Sequence, residues 1–101
     1  MFNLKREHFR DDYLYRFYQY GDTHSKIPSN LYKVLARKLD MISASENIND
    51  LRSPPANHLE LLEPKENKIY SIRVNKQYRL IFKYENNEVN NLYFDPHSYN
   101  L

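Results

Sequence analysis

Two arginines, an aspartate and a histidine in the second half of the chain have side chains suited to chemistry on a phosphate. The arginines are Arg73 and Arg79, and the other two groups follow in Asp95-Pro96-His97. An arginine fork binds phosphate oxygens, and a histidine titrates near neutral pH, so it can donate or accept a proton. When the 2′-hydroxyl of an RNA attacks the neighbouring phosphate and cleaves the chain, the reaction requires a base, an acid and cations that stabilise the transition state. Asp95 can orient His97 or act as the base itself.

Other residues are candidates for binding the substrate rather than transforming it. Lys83 alternates with the arginines along a predicted strand, and Tyr93 and Tyr99 flank the Asp95-Pro96-His97 segment. Tyrosine rings can stack on bases that are splayed out of a single strand. The remaining histidines have no spacing typical of a metal site, so we predict surface positions for them and no bound metal; they are His8, His24 and His58.

Two helices are predicted before these residues. The first has apolar residues at three- and four-residue spacing and ends at a glycine, which is typical of a helix C-cap. The second is entered through Ile27-Pro28-Ser29, where proline suits the first helical turn. The apolar stripes consist of Phe9, Tyr13, Phe17 and Tyr20, followed by Gly21, and of Leu31, Val34, Leu35, Leu39 and Ile42.

The second half of the chain has the composition of strands. Residues 43–58 show neither the helical nor the strand repeat of apolar residues and predict a loop. Residues 70–74 and 78–84 are rich in β-branched and aromatic residues and predict a hairpin across Asn75-Lys76-Gln77. Residues 85–88 predict a second turn before a strand at 89–94, residues 59–62 a weaker strand, and residues 2–4 an edge strand. The fold class is therefore α+β, with two N-terminal helices packed on an antiparallel sheet of three to four strands.

Strand alternation decides which polar residues share a face. If the helices cover the face that carries Ile72 and Leu80, then Arg73, Arg79 and Lys83 lie together on the uncovered face. The last strand delivers Asp95 and His97 at its end, so this face can hold two guanidiniums, a carboxylate and an imidazole. Arginines that alternate out of a strand more often belong to a solvated surface than to an anion site. A histidine with a nearby aspartate is likewise usually a surface pair. Spacing alone does not separate these interpretations.

Composition bounds what the protein can be. A chain of 101 residues buries one core, so residues 1–101 are expected to form a single domain. The only glycine, Gly21, excludes a glycine-rich nucleotide loop, and the absence of cysteine excludes disulfides and thiolate chemistry; no cofactor is expected. No apolar segment is long enough to enter a membrane, which predicts a cytoplasmic protein. The net charge of +2 is mild for a free RNA-binding protein, so RNA contact must depend on placement or on a second scaffold.

Three segments resemble the HigB-type plasmid-maintenance killer proteins of the RelE/ParE toxin superfamily. They are residues 51–60 (Leu-Arg-Ser-Pro-Pro-Ala-Asn-His-Leu-Glu), residues 70–82 (Tyr-Ser-Ile-Arg through Tyr-Arg-Leu-Ile-Phe) and the terminal Asp95-Pro96-His97. The resemblance implies an RelE-like toxin that cuts mRNA on the ribosome. It implies that Arg79 holds the phosphate, and that His97 with Asp95 transfers protons.

The resemblance also implies partners, and the sequence departs from the family pattern at two positions. The expected partner is a HigA-like helix-turn-helix antitoxin, and operator DNA is expected to be bound only through the complex of toxin and antitoxin. Glu63 stands where such toxins usually carry a lysine that faces RNA, and Lys65 or Lys68 would have to replace it. Pro96 also replaces a common aromatic residue.

Two other functions are compatible with the same scaffold. One is a non-enzymatic toxin of the ParE kind that inhibits gyrase, and the other is an inactive homologue that only binds its antitoxin. Fold-level resemblance does not distinguish these from a nuclease. The terminal Asp95-Pro96-His97 favours the nuclease, whereas Glu63 counts against it.

Overall fold

Both predicted helices are present in the computed structural model of the chain, which describes residues 1–96. Helix α1 (Asp12–Tyr20) ends at Gly21, whose φ of 75° is left-handed and whose N–H reaches the carbonyl oxygens of Arg16 and Phe17. Glycine adopts this conformation without the steric cost that a Cβ would add. Helix α2 (Tyr32–Ala44) follows a single 3₁₀ turn, Ser29–Leu31. Phe9 lies before α1 and pairs instead with Leu92 in an isolated bridge.

A four-stranded antiparallel sheet forms the second half, and its strand order β1-β2-β3-β4 follows the chain. The strands are β1 (Glu60–Leu61), β2 (Ile69–Arg73), β3 (Arg79–Glu85) and β4 (Glu88–Asp95). Asn86 and Asn87 both have positive φ in the tight turn from β3 to β4, a conformation that asparagine tolerates better than most residues. The α+β prediction and the predicted hairpin are confirmed.

A β-bulge changes the pairing of β3 and β4 halfway along the strands. Near the turn Tyr84 pairs with Val89, and continuing that register would put Arg79 opposite Phe94. Beyond the irregularity between Ile81 and Lys83, Arg79 instead lies opposite Asp95. Asn91 has a φ of 55° at this point, which is the backbone conformation of an extra bulge residue. The bulge therefore moves Asp95 from the core face to the opposite face.

The hydrophobic core lies between the helices and one face of the sheet. Leu35, Leu39 and Ile42 of α2 are fully buried in one cluster with Leu80 and Phe82 of β3. Ile81 is also buried, but it belongs to the other face and lies outside this cluster. The helices thus pack on the face that the apolar residues predicted and not on the open face of Arg79, although Arg79 and Ile81 are themselves buried there. No helix in residues 1–96 is long and apolar enough to span a bilayer.

Two local predictions were wrong. Residues 2–4 form no strand, because the N–H groups of Phe2 and Asn3 donate to the carbonyl oxygens of Ser45 and Ser43, where α2 leaves carbonyls without helical partners. Residues 43–58 are not a plain loop either. They contain the end of α2 and two short 3₁₀ helices, Ile48–Arg52 and Pro55–Asn57.

Candidate active site on the open sheet face

Three charged residues from three neighbouring strands form one row across the open face. Arg73 of β2 pairs with Arg79 of β3, and Arg79 pairs with Asp95 of β4. Side chains at directly opposed positions have Cβ atoms about 4.5–5.5 Å apart. Arg79 is 8% exposed, while Arg73 and Asp95 are partly buried. Two guanidiniums and a carboxylate are thus held side by side on rigid strands.

Arg79 and Arg73 also line a cavity of about 280 Å³ together with His58, Leu59 and Glu60. A carboxylate oxygen of Glu60 lies 3.9 Å from a guanidinium nitrogen of Arg79, which is ion-pair distance but too long for a hydrogen bond. The Glu60 side chain is 59% exposed. Its attraction for Arg79 is therefore weakened by water and can yield to a phosphate.

Two buried polar atoms of β2 have no hydrogen-bond partner within residues 1–96. They are the Nε of Arg73 and the Oγ of Ser71. An unsatisfied buried donor costs about 1–3 kcal/mol, so such atoms are uncommon in proteins unless they serve a ligand or water. A bound anion would supply the acceptor that Arg73 lacks.

Tyr93 occupies the next row of the same face, opposite Ile81. The guanidinium of Arg10 lies 3.7 Å from the centre of its ring, a cation–π contact that covers one ring face. Burial, and then the negative charge of Asp95, raise the pKa of Tyr93, while Arg10 opposes the shift. The phenol therefore stays neutral, and a base that stacked on the covered ring face would have to displace Arg10.

The three predicted RNA-binding lysines lie apart from the arginine row. Lys83 is four residues from Arg79 along β3, which is about 13 Å at the usual rise of a strand. It lies 3.5 Å from Glu85, and Lys68 donates a hydrogen bond of 3.3 Å to the same carboxylate. These contacts lower the pKa of Glu85, the hydrogen bond from Lys68 most of all. Lys65 is exposed in the 3₁₀ turn between β1 and β2.

Two predicted residues, His97 and Tyr99, lie outside the described residues. Their roles stay predictions, although His97 follows two positions after Asp95 of the row. Within residues 1–96, no group of three or more histidine, aspartate or glutamate side chains is arranged to hold a metal ion.

Sequence reasoning missed two residues of the site. His58 was predicted only as a surface residue, and it is exposed, but it lines the cavity of Arg73 and Arg79. It ends the Pro55–Asn57 turn with a left-handed φ of 45°. Arg10 reaches Tyr93 from the other end of the chain. Neither contact has a local sequence signal, because each joins segments that only the tertiary fold brings together.

The fold and the site define a small α+β protein that presents an arginine-lined face on an antiparallel sheet. Residues 7–97 match the family described as the RelE-like toxin of the type II toxin-antitoxin system HigB. The chain belongs to this family, as the sequence resemblance indicated. Membership implies an antitoxin as its protein partner.

Two relatives are similar over most of the chain. Toxin HigB-1 of Vibrio cholerae is 45% identical over 91 residues, which cover 90% of this chain and 96% of that toxin. An uncharacterized protein of Haemophilus influenzae is 98% identical over 101 residues and the full length of both chains.

Proposed function

We propose that this protein is an endoribonuclease that cuts mRNA on the ribosome in the cytoplasm. The observation that carries the proposal is the row of Arg73, Arg79 and Asp95 across three strands. A pair of guanidiniums beside a carboxylate suits a phosphodiester whose negative charge increases in the transition state. The mild net charge of +2 fits an enzyme whose substrate is oriented by a second scaffold.

In the proposed reaction the 2′-hydroxyl of the RNA loses its proton and forms a bond to phosphorus. The bond from phosphorus to the 5′ oxygen breaks, and this oxygen takes up a proton. Arg79 and Arg73 bind the non-bridging phosphate oxygens, and His97 with Asp95 performs the two proton transfers. His58 in the same cavity is a second imidazole that can serve as acid or base.

The test compares wild type with Arg79→Ala, Arg79→Lys, His97→Ala and His58→Ala for growth arrest and mRNA cleavage on programmed ribosomes. Loss of one charge-stabilising donor lowers a rate by about 10²–10³-fold, and we expect this from Arg79→Ala. Arg79→Lys keeps the buried charge but loses the fork, so it reports on function even if the alanine variant unfolds. Lys5→Ala is the exposed control. The comparison of His97→Ala with His58→Ala identifies the imidazole that transfers protons.

Cleavage that both Arg79 variants and His97→Ala retain would refute this assignment. DNA damage signalling without mRNA loss would favour a ParE-like inhibitor of gyrase, and harmless expression would favour an inactive homologue.

For the antitoxin, we propose a HigA-like helix-turn-helix protein that carries the toxin onto operator DNA. An adjacent reading frame that encodes such a protein would support this partner, and co-purification of the two proteins would test it.

A further inference from the structure

A second cavity opens beside the first, between α2, the Pro55–Asn57 turn and the β2–β3 hairpin. Its volume is about 270 Å³, and Arg73 and His58 line both cavities. Arg37, Lys38 and Lys76 complete its charged lining, and none of the nine residues described around it is acidic. Several cations without a counter-charge repel one another in a partly enclosed space, which favours the binding of an anion.

Lys38 is the most unusual of these cations, because it is 4% exposed. Lysine is almost never so buried unless it is paired. Its Nζ donates to the Oδ1 of Asn57, and no carboxylate within residues 1–96 forms an ion pair with it. Burial, and then the neighbouring charge of Arg37, lower the pKa of Lys38. An ammonium group has three donors, so one amide oxygen leaves it capacity to bind an anion.

Arg73 connects the two cavities. Its buried Nε has no hydrogen-bond partner in residues 1–96, although the side chain lines both spaces. Among residues 1–96, no tyrosine or phenylalanine lines the second cavity, and the imidazole of His58 is the one described ring there. A nucleobase would therefore find little to stack on, whereas the oxygens of a phosphate would find several charged donors.

We propose that the cavity of Arg37, Lys38, Arg73 and Lys76 binds a second phosphate of the RNA backbone, next to the phosphate held at Arg79. This inference rests on the proposed function, because it identifies the path of that substrate across the protein. The phosphate can belong to the mRNA that is cut or to ribosomal RNA, since the chemistry of both backbones is the same.

The test uses the double variant Arg37→Ala/Lys76→Ala, because both side chains are exposed and their loss leaves the core intact. The matched control is Lys5→Ala/Arg16→Ala, which removes the same charge from exposed positions outside both cavities. Binding is measured first on the isolated protein with inorganic pyrophosphate by NMR titration. It is then measured on ribosomes carrying an mRNA with 2′-deoxy nucleotides in the A site, and on ribosomes without mRNA, across a range of salt concentrations.

We expect the cavity variant to bind pyrophosphate and programmed ribosomes at least tenfold more weakly than the control. Its slope of log affinity against log salt should be shallower by about 0.7 for the phosphate lost. A defect only on programmed ribosomes assigns the phosphate to mRNA, and an equal defect without mRNA assigns it to ribosomal RNA. If the cavity variant matches the control in every arm, the second phosphate site does not exist. If wild type binds pyrophosphate but not ribosomes, the proposed function fails while the anion site stands.

Discussion

Replacing Asn57 by alanine should destabilise the fold more than any surface change, because its side chain joins α2 to the segment before the sheet. Asn57 is fully buried, and its Oδ1 accepts a hydrogen bond from the ammonium of Lys38. Its Nδ2 donates to the carbonyl oxygen of Leu51 at 3.0 Å. In Asn57→Ala, Lys38 and Leu51 would both keep buried polar groups without these partners.

The size of the effect follows from the two bonds. A hydrogen bond to a charged group contributes about 1.5–3 kcal/mol and a neutral one about 1 kcal/mol, so we expect a loss of about 3 kcal/mol in the free energy of unfolding. For a domain of this size that loss lowers Tm by roughly 12–24 °C. Total stabilities of small domains are about 5–15 kcal/mol, so the variant should fold but be clearly weakened.

The assay is denaturant and thermal unfolding followed by circular dichroism. The control is Asn49→Ala, because Asn49 is exposed and, in the part of the chain that the structure describes, its Oδ1 accepts only from the exposed Arg52 side chain. Surface changes of this kind usually stay within about 0.5 kcal/mol. A loss below about 1 kcal/mol in Asn57→Ala would show that water replaces both partners, and that the buried network contributes little.

Three further predictions concern charge and backbone. The pKa of Lys38 is lowered in the folded protein. At pH values between that lowered pKa and the ordinary value of 10.5, the unfolded chain therefore binds a proton that the folded chain lacks. The free energy of unfolding of wild type should therefore rise with pH in this window relative to Lys38→Met; parallel pH curves would contradict this. Lys68→Ala and Lys83→Ala should raise the KM for mRNA cleavage without changing kcat, since these side chains lie away from Arg79; a fall in kcat would place them at the reacting phosphate. Asn91→Val should destabilise the fold by about 1–2 kcal/mol, because valine is strained at the positive φ of position 91, and it should reduce cleavage. Asn91→Gly should lower neither the free energy of unfolding nor the cleavage rate, and unfolding and cleavage assays measure both.

Most of the fold was predictable because its signals are local. The three- and four-residue spacing before Gly21 and the alternation of residues 70–84 are each set by the geometry of one element. The same alternation predicted that Arg73 and Arg79 share a face. The edge strand at residues 2–4 was wrong because the free carbonyls at the end of α2 compete for those N–H groups, and this competition depends on a distant segment.

The sequence by itself therefore determined the two helices, the β-hairpin, the covered face of the sheet and the shared face of Arg73 and Arg79, because the period of each segment acts between neighbours in the chain. The sequence also predicted Asp95 on this face, but only the tertiary structure shows the β-bulge at Asn91 that puts it there. Without the extra residue at Asn91, the register set by the β3–β4 turn would point Asp95 into the core. Tertiary packing also decided that Lys38 is buried beside Asn57 and that His58 lies near Arg79, because those neighbours come from different elements.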